Sequence, residues 1–138
     1  MVKKNSKNRI SKEEMYMRIA EAMAERSTCK RLQVGTVITD DKMWSIISMG
    51  YNGNYAGGPN GCDQEEVGNC GCLHSEMNAL IKPGVGGHTV FITHSPCKMC
   101  AKAIVNAGLK KLYYRLDYRK DDGIRLLKKV GVEVVKLG

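Results

Sequence analysis

The sequence predicts an α/β chain in three layers, with helices on both faces of one mixed five-stranded sheet. Three observations carry that reading. Short runs rich in β-branched and aromatic residues recur at 34–39, 89–93, 111–115 and 132–136, bounded by turn residues. Segments with helical start and stop signals lie between them. After an initial hairpin, the last three strands are joined by helices, which favours parallel pairing through right-handed crossovers. At 138 residues, 43% of them hydrophobic, the chain is long enough for one core but not two.

Ser11-Lys12-Glu13-Glu14 reads as a capping box that starts the first helix. Met15, Ile19, Ala22 and Met23 then recur at helical spacing and predict its buried face. This helix is expected to end near Arg26-Ser27-Thr28-Cys29. A strand at 34–39, a turn at Asp40-Asp41-Lys42 and a strand at 44–51 form the hairpin. From Asn52 to Leu73 the periodicity gives way to a glycine-rich loop, and a loop of that length is usually functional or pinned by something. A helix at 74–81 is stopped by Pro83-Gly84, and a buried strand follows at 89–93. Pro96 opens a helix with Cys97 and Cys100 in its first turn, closed by Ala107-Gly108. A strand at 111–115, a helix at 122–130 ending at Gly131 and a strand at 132–136 complete the chain. The helix N-termini that carry His74 and the Cys97/Cys100 pair are expected to meet at one edge of the strands.

Residues 1–10 read as a flexible basic arm and 11–138 as a single domain. The formal charge of +8 comes from 22 Lys and Arg against 14 Asp and Glu. The basic residues cluster at Lys3, Lys4, Lys7, Arg9 and Lys12, and again between 110 and 129. Phosphorylated small molecules account for this charge as well as nucleic acid does, and the six tyrosines are not interleaved with it as a base-stacking platform would require. No apolar run is long enough for a bilayer, and residues 1–9 lack the apolar stretch of a secretory signal. The expected setting is therefore the cytoplasm, that of a host if the source is viral, with no membrane and no nucleic acid as partner. There the six cysteines are expected to bind metal as thiols rather than pair as disulfides.

Two short motifs carry the chemistry. His74-Ser75-Glu76 and Pro96-Cys97-Lys98-Met99-Cys100 together supply one imidazole and two thiolates, and a catalytic zinc takes three protein ligands with a fourth position open. Placement at a helix N-terminus favours the thiolate form of the cysteines. Either motif alone is weak, and lone histidines such as His88 and His94 are more often loop or core residues. In this order, H-x-E followed by P-C-x-x-C is the signature of the zinc nucleobase deaminases. A zinc so held activates water at neutral pH, and Glu76 is placed to carry protons from that water to a ring nitrogen and a departing amine. Cys29, Cys62, Cys70 and Cys72 supply four further sulfurs in and beside the long loop. They could close a structural zinc site that pins the loop to the first helix, or be ordinary buried thiols, since their spacing is not that of a standard zinc ribbon.

The chain resembles the deoxycytidylate (dCMP) deaminases of the cytidine/deoxycytidylate deaminase family, phage and bacterial members especially. The resemblance runs from about Ala20 to the C-terminus. It rests on Arg26-Ser27-Thr28-Cys29, Val34-Gly35, Gly50-Tyr51-Asn52-Gly53, His74-Ser75-Glu76-Met77-Asn78-Ala79, the stretch from Pro96-Cys97 to Cys100-Ala101-Lys102-Ala103-Ile104, Ala107-Gly108 and Tyr113-Tyr114. It implies a five-stranded mixed sheet and hydrolysis of dCMP to dUMP, which supplies thymidylate synthesis. By the same resemblance His74, Cys97 and Cys100 are zinc ligands and Glu76 is the proton shuttle. Asn52 meets the deoxyribose, Arg26 and Ser27 help hold the 5′-phosphate, and Tyr118 lies near the substrate. It further implies a homohexamer activated by dCTP with Mg2+ and inhibited by dTTP, with the effector site around Gly50, Tyr51, Asn52 and Gly53. Cysteines matching Cys29 and Cys62 hold a second, structural zinc in some phage members.

Ser75 stands where the family usually has alanine. Its backbone amide is the group implied to meet the pyrimidine, so serine fits there. The loop before His74 is short beside that of some regulated relatives, which weakens the expectation of effector control. A tRNA adenosine deaminase, which shares both motifs, is an alternative, but such enzymes typically lead into the histidine with an Asp-Pro-Thr-Ala-like stretch where Asn69-Cys70-Gly71-Cys72-Leu73 stands here, and the Ala101-Lys102-Ala103-Ile104 continuation resembles the deoxycytidylate branch. Three other readings stay open: a bifunctional enzyme acting also on dCTP, a cytidine deaminase, and a non-catalytic zinc module binding nucleic acid. The cytidine enzymes usually carry cysteine where His74 stands.

Overall fold

In a computed structural model of the chain, residues 8–64, 70–82 and 86–138 are described. The elements run α1 (Lys12–Ala24), β1 (Gly35–Thr39), β2 (Ile46–Tyr51), α2 (Ser75–Leu80), β3 (Thr89–His94), α3 (Lys98–Asn106), β4 (Lys111–Leu116), α4 (Asp122–Lys129) and β5 (Glu133–Lys136). This is the order expected from the sequence. Of the anticipated basic arm only residues 8–10 are described, and the Pro83-Gly84 stop and Asn69 lie outside the described residues.

Among the described residues the strands form one five-stranded sheet in the order β2-β1-β3-β4-β5. β1 is antiparallel to both β2 and β3, whereas β3, β4 and β5 are parallel. The α/β class with a mixed sheet is therefore as the sequence predicts. Side chains alternate across a strand, so neighbouring residues feed opposite layers. Val37, Phe91 and Tyr113 face α1 and pack with Tyr16, Met17 and Ala20. Ile38, Val90, Ile92 and Leu112 face the other way, against Ala79 of α2, Ala101 and Ile104 of α3, and Ile124 and Leu127 of α4. Phe91 stacks on Tyr113 with ring centroids 4.8 Å apart, and Tyr16 meets Phe91 at 5.3 Å.

The buried face of α1 differs from the one expected. Tyr16, Met17, Ala20 and Ala24 are buried, together with Glu14. Met15 and Ala22 are exposed, and Ile19 and Met23 only half-buried. The cause lies in β1. A β-carbon on Gly35 would sit 1.9 Å from the Ala20 carbonyl oxygen, so the helix rests directly on the strand, where only small residues fit. The capping box also forms only in half. The Ser11 hydroxyl accepts the Glu14 N–H at 3.0 Å. The Glu14 carboxylate turns away and accepts instead from Arg18 Nε at 2.9 Å and from Arg115 at 2.8 Å.

Candidate metal centre and active site

The two motif histidine and cysteine positions are helix caps. His74 is the N-cap of α2 and Cys97 the N-cap of α3, each with extended backbone, so both side chains project from a helix start. β2 holds α2 in place. A β-carbon on Gly50 would lie 2.5 Å from the Ser75 carbonyl oxygen, so this strand position must be glycine for α2 to approach. Ser48 Oγ donates to the Ala79 carbonyl at 2.7 Å, and Asn78 Nδ2 to that of Tyr51 at 2.9 Å. Gly53 and Leu73 form an antiparallel bridge that delivers the chain to His74. From the other side α4 backs the second motif, because a β-carbon on Gly123 would lie 2.1 Å from the Pro96 carbonyl oxygen.

The two helix starts do meet. His74 Nδ1 lies 3.3 Å from Cys100 Sγ and 3.5 Å from Cys97 Sγ. A tetrahedral zinc with bonds of about 2.0 Å to nitrogen and 2.3 Å to sulfur spans N···S edges of about 3.6 Å, which these separations fit. The thiols are already polarised. The neighbouring Cys100 thiol, then His74 and the Cys100 backbone N–H, hold Cys97 down to about 4 against the opposing effect of burial. Cys97 and burial in turn push Cys100 up. The Cys97 thiolate beside it raises His74.

Glu76 is 4% exposed, and burial raises its pKa against the opposing effects of its own backbone N–H, His74 and Ser75. A buried carboxyl with a raised pKa beside a metal-type cluster suits proton transfer near neutral pH. Ser75 is fully buried, and its hydroxyl donates to Glu76 Oε1 at 2.9 Å. The sequence does not single out Thr36, whose hydroxyl lies 2.7 Å from that of Ser75. A threonine in a β-branched run reads as an ordinary strand residue.

The other expected site residues make contacts of their own. Asn52 is buried, with Oδ1 accepting from the Val34 N–H at 2.9 Å and Nδ2 donating to the Leu32 carbonyl at 2.6 Å. Each of those atoms retains one further hydrogen-bonding position. Ser27 Oγ donates to the Asn52 carbonyl at 2.8 Å and accepts the Cys29 N–H at 3.1 Å. Arg26 lies over the Tyr51 ring at 6.0 Å. Ser27 opens a cavity of about 730 Å³ that also takes in Lys30, Arg31 and Asn60. Tyr118 lines a second cavity of about 390 Å³ with Ser95, Lys120, Arg125 and Lys128, and its N–H donates to Ser95 Oγ at 2.7 Å. Of the glycines expected around an effector, Gly50 lies within β2 and abuts α2, and Gly53 abuts Thr28.

Cys29, Cys62, Cys70 and Cys72 also converge. Their sulfurs lie within 4.8 Å of one another, with separations of 3.7, 3.8 and 3.6 Å for the pairs Cys29–Cys62, Cys29–Cys70 and Cys62–Cys72. Zinc–sulfur bonds of about 2.3 Å give tetrahedral edges of about 3.8 Å, so four thiolates here fit a closed zinc site. All six cysteines are free of disulfides.

Residues 10–116 match the family described as the cytidine and deoxycytidylate deaminase zinc-binding region. The Bacillus subtilis ComE operon protein 2 is 40% identical over 126 residues, covering 80% of this chain and 62% of that protein. Saccharomyces cerevisiae deoxycytidylate deaminase is 34% identical over 134 residues, covering 86% of this chain and 42% of that one. The chain thus spans about three-fifths and two-fifths of these curated relatives. Among solved structures, the dCMP deaminase of cyanophage S-TIM5 in complex with dCMP and dUMP superposes with a TM-score of 0.82 at 41% identity, covering 91% of this chain and 96% of that one.

Proposed function

The chain belongs to the cytidine and deoxycytidylate deaminase family, and on that premise we propose that it hydrolyses dCMP to dUMP and ammonia. The observation that carries the reading is the buried Glu76 carboxylate beside three metal-type ligands, His74, Cys97 and Cys100, which leave one tetrahedral position over. Deoxycytidylate as substrate is supported by the cyanophage relative, whose structure holds dCMP and dUMP.

His74, Cys97 and Cys100 would hold the zinc, which when bound supplies a Lewis acid that brings a water's pKa towards about 7. Glu76 then takes one proton from the attacking water and gives it to the ring nitrogen next to the reacting carbon. It carries the second water proton to the amino group, which leaves as ammonia. Oxygen thereby replaces nitrogen on the ring with all protons accounted for. Arg26 and Ser27 would meet the 5′-phosphate beside the cavity charged by Lys30, Asn52 the deoxyribose and the Ser75 backbone the pyrimidine, with Tyr118 near the substrate. Cys29, Cys62, Cys70 and Cys72 would hold a second, structural zinc.

The proposal extends to regulation and setting: a homohexamer in the cytoplasm, where thiols stay reduced, activated by dCTP with Mg2+ and inhibited by dTTP, and feeding thymidylate synthesis. A nucleotide held at Gly50, Tyr51, Asn52 and Gly53 would bear directly on α2 through Gly50 and on the 26–34 segment through Gly53 and Asn52. Among the described residues no helix is long and apolar enough to cross a membrane. The test is ammonia release from dCMP, dCTP, cytidine and an adenosine-containing tRNA anticodon stem, each with and without dCTP·Mg2+ or dTTP. The expected result is turnover of dCMP that rises with dCTP and falls with dTTP. Turnover of the tRNA stem alone would overturn the substrate, and dCMP turnover indifferent to both nucleotides would overturn the regulation.

A further inference from the structure

Glu76 has three rotatable side-chain bonds, yet it must present one oxygen to water and then to two positions on the substrate. Something has to hold it. Its Oε1 accepts from Ser75 Oγ at 2.9 Å, and Ser75 Oγ lies 2.7 Å from Thr36 Oγ1. All three residues are buried, Ser75 and Thr36 fully. A serine hydroxyl has a single hydrogen. Since Ser75 gives its hydrogen to the carboxylate, the hydrogen between the two hydroxyls must come from Thr36. The chain of bonds therefore runs one way, from Thr36 through Ser75 to Glu76.

Its far end is rigid. Thr36 is β-branched, with a stiff first torsion, and sits in β1 between Gly50 of β2 and Ile92 of β3. The glycine opposite it is the one that lets the Ser75 backbone approach the sheet, so the strand that carries no side chain at 50 is also what brings the two hydroxyls together. We propose that Thr36 and Ser75 are positioning residues for the deamination, a two-hydroxyl strut that fixes Glu76 Oε1 to the sheet and leaves Oε2 as the oxygen that takes and returns the proton. The inference rests on the reading of Glu76 as proton carrier. The strut acts on the transition between proton acceptance and delivery, so it bears on kcat and leaves ground-state binding alone.

The experiment measures kcat and KM for dCMP, zinc per chain and thermal midpoint in wild type, Ser75→Ala, Thr36→Val, Thr36→Ser, the Ser75→Ala/Thr36→Val double variant and Glu76→Ala. Loss of a hydrogen bond to a charged group predicts a fall in kcat of about tenfold for Ser75→Ala. Thr36→Val, which keeps the shape but not the hydroxyl, loses about threefold, and KM and zinc content stay put in both. Thr36→Ser recovers most of the Thr36→Val loss. The double variant is no slower than Ser75→Ala, because Thr36 acts only through Ser75. Wild-type kcat in Ser75→Ala alongside an inactive Glu76→Ala would overturn the strut while leaving the proton carrier standing. Additive losses in the double variant, or losses that follow thermal midpoint rather than kcat, would likewise overturn it. A zinc-loaded wild type inactive on dCMP would overturn the strut and the activity together.

Discussion

The His74, Cys97, Cys100 cluster and the Cys29, Cys62, Cys70, Cys72 cluster are built to similar dimensions, each with its ligand atoms within 4.8 Å of one another. They differ in what is left over. Four sulfurs complete a tetrahedron and offer a bound ion nothing further to do. One nitrogen and two sulfurs leave a position open, and the residue two along from the histidine is a buried carboxylate. The four-sulfur cluster is nonetheless tied to the three-ligand one by short chain. Cys72 lies two residues before His74, with the Gly53–Leu73 bridge between them, and Cys29 bonds back to Ser27, which bonds to Asn52. On the proposed function one cluster is chemical and the other holds the loop that leads into it.

Breaking the clusters one at a time separates these roles. Cys97→Ser should lose one zinc per chain and nearly all turnover of dCMP, on the order of a thousandfold or more, with the fold retained. Metal analysis beside circular dichroism checks this, and unchanged zinc content would refute it. Cys70→Ser should act the other way round, lowering the thermal midpoint by roughly 5–10 °C while the remaining folded protein keeps measurable turnover. A Cys70→Ser protein as stable as wild type would remove the structural role. Gly50→Ala places a carbon against the Ser75 carbonyl and should cost about 1–3 kcal/mol of stability, with a fall in turnover because α2 is pushed off the sheet. Denaturant midpoints and kcat measured together would show whether the two losses travel together.

The smallest effect lies away from both clusters and serves as their control. Burial raises the pKa of the Glu14 carboxyl, but its bonds to Arg115 and Arg18 outweigh burial and leave it below the ordinary value of 4.5. A carboxyl held down in the folded state stabilises above its unfolded value, and that contribution disappears as pH falls through the folded one. Wild type should therefore lose about 1 kcal/mol more than Glu14→Gln on acidification below about pH 4.5. The difference should be the same with and without zinc.

Much of this was legible in the chain because it is written in short, contiguous signals. The H-x-E and P-C-x-x-C motifs locate the three-residue cluster that could hold a metal, and Ser11, Gly108 and Gly131 bound their helices within a residue or two. The buried face of α1 was not legible, because α1 carries two apolar stripes and only the contact of Ala20 with Gly35 selects between them. The sequence offers Cys29, Cys62, Cys70 and Cys72 as one possible set, but their spacing is not standard and it takes the folded chain to bring the sulfurs together. Thr36 was invisible for a similar reason: its partner is thirty-nine residues away, and nothing local distinguishes it from a strand-forming threonine.

The most direct measurement is ammonia release from dCMP by wild type and Glu76→Ala, each with its zinc content determined on the same sample. Equal zinc in the two proteins, with turnover in wild type and a loss of at least about a hundredfold in the variant, is the result this account predicts. Equal turnover in the two, or no turnover of dCMP by a fully loaded wild type, would contradict it.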